Sequence, residues 1–358
     1  MNALLLAPEL FASEGGIPRI LRLYLKALCE LSEPAGNVSV VSLNDVSFDS
    51  RDLRRYSNQR LTDWAACGRS KLRFLQAARR MSKHVDLVVC GHVAQLPVAW
   101  GLRKLRKKPF KYTLVAHGIE VWRPFSRLEL LALRGADRIW CVSEFTRREL
   151  LRHSKLPLTT TVVLPNGLDP FLHVPEPAAS VTEYDILTVS RLNNSDSYKG
   201  IDHLIEAMPA IRRGIPAARL RVVGRGDDLP RLHEIAVRLH VDKAVEFLGY
   251  VNDEDLKREL NACRLFALPS QKEGFGLVFL EAMTHGKPCI GARDGGIPEV
   301  ITPLTGQLVN YGNIPELAET CVSALRRKWD PAAIQERANE FSYSRFRDKL
   351  TSLIPLSA

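Results

Sequence analysis

The sequence has seven cysteines but no CxxC pair: Cys29, Cys67, Cys90, Cys141, Cys263, Cys289 and Cys321 are scattered along the chain. An odd, dispersed set excludes a disulfide framework and fits reduced thiols in a cytosolic protein. Nine histidines yield no HxxxH or HExxH spacing, so no zinc site is expected. There is no low-complexity tract and no internal repeat. Long apolar runs are also missing. The longest uncharged stretch, Leu87 to Leu102, contains Gly91, His92, Gln95 and Pro97 and falls short of the roughly 20 apolar residues a spanning helix needs. Met1 to Pro8 is apolar but short, lacks a basic leader and runs into Glu9, so it reads as a first strand and not as a signal peptide.

What is present points to a globular protein of about two domains. The 358 residues are 46% hydrophobic and 25% charged, which excludes a disordered or fibrous chain and allows sizeable cores. The net charge of +10 is unevenly placed. Residues 1–175 carry 27 Lys and Arg against 15 Asp and Glu, and the rest of the chain carries 23 against 25. The whole excess lies in the first half. It implies a surface for an anionic partner such as lipid headgroups, a phosphorylated acceptor or nucleic acid. Nucleic acid would also need aromatic stacking residues on that basic face, for which Tyr56, Trp64 and Phe74 are the candidates.

Short β-rich runs alternate with helical spacing throughout. Strands are predicted at 3–7, 38–43, 86–90, 112–117, 138–142 and 161–164, then at 185–189, 219–223, 245–247, 265–268 and 288–292. Helices are predicted at 17–31, 201–213, 229–240, 253–262, 276–284 and 344–353. A Pro-rich stretch from Pro170 to Glu183 reads as a linker. Such alternation implies parallel sheets covered on both faces, with ligands bound at the carboxyl ends of the strands.

The segment with the strongest chemical pattern is Lys272-Glu273-Gly274-Phe275-Gly276-Leu277-Val278-Phe279-Leu280-Glu281, which follows the strand-like Leu265 to Leu268. Its glycines permit a tight turn, and the helix beyond opens with free backbone N–H groups suited to phosphate oxygens. Glu273 is placed in the loop and Glu281 about two turns into the helix. A plain strand-to-helix turn with a surface Glu is the competing reading. Gly15 and Gly16, between the first strand and a helix entered through Pro18, allow the same close backbone approach, or are a simple turn. Two decoys are set aside. Gly224-Arg225-Gly226 lacks the third glycine of a dinucleotide fingerprint. Asp253-Glu254-Asp255 has a DxD pattern but opens a helix, where acids complement the dipole.

These segments resemble the retaining glycosyltransferases of family 4, also called group 1, of GT-B fold. Their two glutamates separated by seven residues match Glu273 and Glu281. The resemblance continues through Gly295-Gly296-Ile297-Pro298-Glu299-Val300, Val189-Ser190-Arg191-Leu192 with Lys199-Gly200, Val223-Gly224-Arg225-Gly226 and Phe247-Leu248-Gly249-Tyr250-Val251. In the first half it includes Glu14-Gly15-Gly16, His117-Gly118, Val142-Ser143-Glu144 and Pro165-Asn166-Gly167-Leu168-Asp169. It implies an α/β protein of two Rossmann-like domains whose parallel sheets face each other across a cleft. Residues 1–175 would bind the acceptor and 183–340 the nucleotide-sugar donor, with the C-terminal helix at 341–358 packing back on the first domain.

The resemblance also implies roles. Arg191 and Lys199 would hold the donor diphosphate and stabilise the charge that grows as it leaves; the segment between them is longer than the simplest family pattern. Glu281 would accept from the ribose diol. Glu273 and His117 would lie near the transferred sugar. Gly15, Gly16, Gly224, Tyr250, Val251, Phe275, Gly276, Leu277 and Val278 would line the donor site, and Glu120 and Glu144 the acceptor side. The expected reaction is metal-independent hexosyl transfer, of mannose or a glucose-type sugar, from a nucleotide-diphosphate sugar such as GDP-mannose or a UDP-hexose. No metal or other cofactor is expected. The acceptor would be a saccharide or a polyprenyl-linked one, in cell-surface polysaccharide or glycolipid assembly. The basic first half, through Arg79, Arg80, Arg103, Lys104, Lys107 and Lys108, would hold a cytoplasmic protein peripherally on an anionic membrane. A dinucleotide-dependent oxidoreductase or epimerase, and a non-catalytic sensor of nucleotide sugars or binder of nucleic acid, are the alternatives.

Overall fold

The computed structural model describes residues 1–171, 182 and 184–354. Most of the expected linker, 172–181 and 183, and the tail 355–358 lie outside the described residues. The chain divides into two compact units, Met1–Asp169 with Tyr343–Ala358, and Pro170–Ser342.

The first unit runs β1 (Ala3–Ala7), α1 (Gly16–Leu31), β2 (Val38–Ser42), α2 (Ser50–Arg55), β3 (Leu61–Ala66), α3 (Lys71–Met81), β4 (Leu87–Cys90), α4 (Leu96–Lys104), β5 (Lys111–Ala116), α5 (Arg127–Gly135), β6 (Arg138–Cys141), α6 (Glu144–Ser154) and β7 (Thr161–Val163). All seven strands pair in parallel, in the order β3-β2-β1-β4-β5-β6-β7. The central strands β1 and β4 are buried along their whole length, as a parallel sheet covered on both faces requires.

The second unit contains β8 (Asp185–Val189), α7 (Ile201–Gly214), β9 (Arg219–Val223), α8 (Leu229–Arg238), β10 (Val245–Gly249), α9 (Asp253–Ala262), β11 (Leu265–Leu268), α10 (Leu277–Thr284), β12 (Cys289–Ala292), β13 (Gly306–Val309), α11 (Ile314–Arg326) and α12 (Pro331–Asn339). Its six parallel strands follow the order β10-β9-β8-β11-β12-β13.

The last helix, α13 (Tyr343–Leu353), belongs to the first unit. Phe346 meets the buried Tyr24 of α1 edge-on at 5.1 Å, and Tyr24 stacks on Trp140. Gly167 makes room for this helix, since a Cβ there would lie 2.8 Å from Phe346 Cβ. Tyr343 donates to Glu30 at 3.0 Å.

Both sheets reverse strand order next to their first strand, between β1 and β4 and between β8 and β11. In open α/β sheets ligands bind at this point, outside the carboxyl ends of the strands. The loops after β1, β4, β8 and β11 are therefore where each unit's chemistry should lie. All seven cysteines are buried and unpaired. No helix among the described residues is long and apolar enough to cross a membrane.

Candidate functional site

In the second unit the loops after β8 and β11 meet. Lys199 Nζ donates to Glu273 Oε2 at 2.5 Å, across 74 residues of sequence. Burial of the Lys199 ammonium favours its neutral form, but the Glu273 carboxylate outweighs this and holds its pKa above the ordinary value. Lys199 is therefore a fixed cation at neutral pH. Arg191 lies just beyond the end of β8 with its side chain 61% exposed, and its Nη2 donates to Asp196 Oδ1 at 3.2 Å. Two cations thus stand on one loop, one locked and one open. Gly200, with φ +71°, turns the chain from that loop into α7. A Cβ there would lie 2.7 Å from Pro269 O, so the turn needs a glycine for space as well as for conformation.

The Glu273 loop is fixed by another glycine pair. The Gly296 N–H donates to Glu273 O at 2.8 Å. A Cβ on Gly295 would fall 2.2 Å from Glu273 O, and one on Gly296 2.4 Å from Gly274 O. The two motifs therefore form one packed unit. Gly276, at φ +93°, starts α10, which has no side-chain cap and no acid in its first turn. The N–H groups of Leu277 and Val278 open that helix, an arrangement suited to an anion.

Glu281 is buried, which removes the surface-Glu reading, and it is four residues past Leu277. That is a little over one turn into α10, not two, because the helix starts at Leu277. Phe275 also departs from expectation. Its side chain is buried against Phe341, with ring centroids 5.5 Å apart, so only its backbone is left for a donor. Gly224 has a packing role. A Cβ there would lie 1.8 Å from Ser190 O, and one on Gly226 2.0 Å from Leu192 O. These glycines let the β9 turn press against the Arg191 loop. Tyr250 is exposed beyond β10 and carries the Arg225 guanidinium 4.8 Å above its ring; Val251 beside it is half-buried. Asp253 and Asp255 open α9, where Asn252 caps the Asp255 N–H and Arg258 pairs with Asp255. Among the described residues no group of three or more His, Cys, Asp or Glu side chains is placed to hold a metal.

In the first unit the carboxyl ends of β4 and β5 bring together His92, His117 and Glu120. Gly15 and Gly16 lead into α1, whose N-terminus has no side-chain cap and no first-turn acid. His117 is buried, and its Nε2 lies 2.9 Å from Gly91 O. A carbonyl only accepts, so Nε2 carries the proton and Nδ1 keeps its lone pair. Burial lowers the His117 pKa to about 4, against a smaller opposing effect of the Gly91 bond, so the ring is neutral at pH 7. Glu120 Oε1 accepts the His117 N–H at 2.5 Å and so shapes the loop. Burial raises its pKa, opposed by backbone N–H groups and by His92. His92 was not singled out from the sequence, although Gly91-His92 ends β4 as His117-Gly118 ends β5. Its Nδ1 accepts the Ala94 N–H at 3.1 Å, and burial lowers its pKa. Glu144 opens α6 after the capping Ser143 and pairs with Arg147 at 2.6 Å.

The basic surface is only partly as expected. Phe74, Ala78 and Met81 of α3 face the core, leaving Leu72 and Leu75 exposed. Arg80 is tied to Asp63, and Arg103 to Asp137 and Gly135 O, with its guanidinium over the Tyr112 ring. Of the three stacking candidates, Tyr56 and Phe74 are buried and only Trp64 of the three is exposed.

Comparison with known proteins identifies the family and the fold. Residues 173–341 match the family described as Glycosyl transferases group 1, and residues 29–171 match Glycosyltransferase Family 4. The chain is 30% identical over 266 residues to the GDP-mannose-dependent alpha-(1-6)-phosphatidylinositol monomannoside mannosyltransferase of Mycobacterium tuberculosis, covering 69% of each. It is 29% identical over 300 residues to the GDP-mannose-dependent monoacylated alpha-(1-6)-phosphatidylinositol monomannoside mannosyltransferase of Corynebacterium glutamicum, covering 76% of this chain and 77% of that one. Among solved structures, Anabaena HepE in complex with UDP superposes with a TM-score of 0.76 at 22% identity, covering 99% of both chains. Sucrose-phosphate synthase from Thermosynechococcus elongatus gives 0.75 at 22%, covering 99% and 98%. These two speak to the fold, which is GT-B. With a family match on each half and a relative of this identity over two thirds of its length, the chain belongs to the group 1 glycosyltransferases of family 4 and is a hexosyltransferase.

Proposed function

We propose that the protein transfers a hexose, with retention and without a metal, from GDP-mannose or a UDP-hexose to a saccharide or lipid-linked acceptor at an anionic membrane surface. The observation that carries this reading is the pairing of Lys199 with Glu273 beside Arg191 and the uncapped start of α10. Two cations and a helix N-terminus supply the positive charge that a departing diphosphate needs, which metal ions supply elsewhere. Glu281 would accept from the ribose hydroxyls. Glu273, already committed to Lys199, suits positioning better than nucleophilic attack. The neutral His117 keeps an acceptor nitrogen for a sugar hydroxyl. With no free nucleophile assigned, the leaving diphosphate would take the acceptor proton on the face it departs from, so the configuration is kept.

GDP-mannose and a phospholipid-borne acceptor are supported by the names of the mycobacterial and corynebacterial relatives, and a UDP-sugar by the UDP bound in the Anabaena structure. The purified protein, given radiolabelled GDP-mannose or UDP-glucose, a bacterial lipid extract and excess EDTA, should move label into the organic phase. The new linkage should have the donor's anomeric configuration by NMR. Label transferred only when Mn²⁺ is restored, or an inverted product, would overturn the proposal.

A further inference from the structure

The segment between Arg191 and Lys199 carries its own anchor. Asp196 is buried, and its carboxylate accepts three side-chain hydrogen bonds. Oδ1 takes Arg191 Nη2 and the Tyr198 hydroxyl, both at 3.2 Å, and Oδ2 takes Asn193 Nδ2 at 3.0 Å. Tyr198 extends the anchor to the second cation, since Lys199 Nζ lies 5.3 Å from the centre of its ring. The Tyr198 carbonyl in turn accepts the Gln271 N–H at 2.8 Å, from the loop that carries Glu273. One buried carboxylate therefore sits behind both cations and is tied to the loop after β11.

We propose that Asp196 is a positioning residue for the diphosphate site, holding the Arg191 guanidinium by one edge so that its remaining N–H groups are presented to the donor's phosphates. The proposal rests on the assignment of Arg191 to the diphosphate made above. A guanidinium has five N–H donors in a rigid fork, and Asp196 engages one of its nitrogens. Arginine on an exposed strand end otherwise loses much rotamer freedom when it binds a ligand. A buried counter-charge removes that freedom beforehand, and such preorganisation raises affinity without a new contact. The carboxylate lies within the segment that separates Arg191 from Lys199.

The test is discrimination between nucleotides. Affinities of GDP, GMP, UDP and UMP are measured by calorimetry for the natural protein, Asp196→Ala, Asp196→Asn, Arg191→Ala and the Asp196→Ala/Arg191→Ala double variant. The preference for diphosphate over monophosphate should fall about tenfold in Asp196→Ala, the scale of the lost preorganisation, and less in Asp196→Asn. The double variant should be no worse than Arg191→Ala alone, because Asp196 acts through Arg191. Equal losses for diphosphate and monophosphate, or a further tenfold loss in the double variant, would overturn the proposal. If Asp196→Ala does not fold, Asp196→Asn and Tyr198→Phe carry the same comparison. An Arg191→Ala protein with unchanged discrimination would instead remove Arg191 from the diphosphate. That is a distinct result from one in which Arg191→Ala loses the preference and Asp196→Ala keeps it. Failure of both GDP and UDP to bind would overturn the proposed function and this inference with it.

Discussion

His117 is buried, neutral and bonded to Gly91 O, and this state contributes stability that acid removes. Its pKa falls from an ordinary 6.5 in the unfolded chain to about 4 in the fold, because burial penalises the imidazolium. Above pH 6.5 the ring is neutral in both states and its contribution to stability is complete. As pH falls from 6.5 towards 4 the unfolded chain takes up the proton first, and that contribution is lost. At about 1.4 kcal/mol per pH unit, the interval corresponds to about 3 kcal/mol. His117→Gln keeps an N–H donor for Gly91 O but does not titrate. The stability of the natural protein minus that of His117→Gln should therefore shrink by about 3 kcal/mol between pH 7 and pH 4. Taking this difference cancels the general effect of acid on a chain of net charge +10, and also removes, to first order, the titrations of His92 and Glu120. Urea unfolding followed by tryptophan fluorescence is the assay, since Trp64, Trp100, Trp122 and Trp140 all lie in the unit that contains His117. Parallel pH curves for the two proteins would show that the ring is not held neutral and would remove the Nδ1 acceptor from the mechanism.

Glu281→Ala should weaken binding of the free nucleoside diphosphate by roughly 1.5–3 kcal/mol, the value of a charged hydrogen bond; unchanged affinity by calorimetry would take Glu281 out of the ribose site. Gly296→Ala should cut transfer far more than it lowers the melting temperature, because the added methyl meets Gly274 O and displaces the Glu273 loop; full activity in this variant would mean that the packing of the two motifs does not set the site. Vesicles containing anionic lipid should sediment the protein in a salt-sensitive way, each free cation contributing about 1 kcal/mol. Exchanging Arg79, Lys104, Lys107 and Lys108 for Glu should abolish this, and equal sedimentation with neutral vesicles would refute it.

The central strands were legible because they are buried on both faces and so read as continuous apolar runs. The two strands that the sequence reading missed, β3 and β13, are both at sheet edges. In β3, Leu61-Thr62-Asp63-Trp64-Ala65-Ala66 leaves Thr62 and Trp64 exposed. It is a strand because β2 offers it a parallel partner, and its own pattern carries little of that information. β13 has four residues, two of them only half-buried, and pairs with β12 alone.

At the site, what could be read in advance was what each residue type can do; what could not was the company each one keeps. Glu273 and Lys199 each stood out, but their ion pair depends on β8 and β11 being neighbours, a property of strand order that no local spacing records. Asp196 was invisible because the insertion containing it registered as length alone. The same limit applies to charge. Counting gave a strongly basic first half, yet Arg80 and Arg103 are bound to Asp63 and Asp137, and Arg106 donates to the carbonyls of Ser82 and Lys83. These three cations already have partners and are poorly placed to attract an anion as well. Those left for a surface, Arg79, Lys104, Lys107 and Lys108, form no ion pair among the described residues. Arg79 lies on α3 and Lys104 ends α4, while Lys107 and Lys108 follow in the loop after it; the same stretches expose Leu72, Leu75 and Leu105. An exposed leucine beside unpaired cations is the combination that an anionic lipid surface rewards and that a soluble phosphorylated ligand does not. The placement of charge, more than its total, therefore favours the membrane over a soluble acceptor.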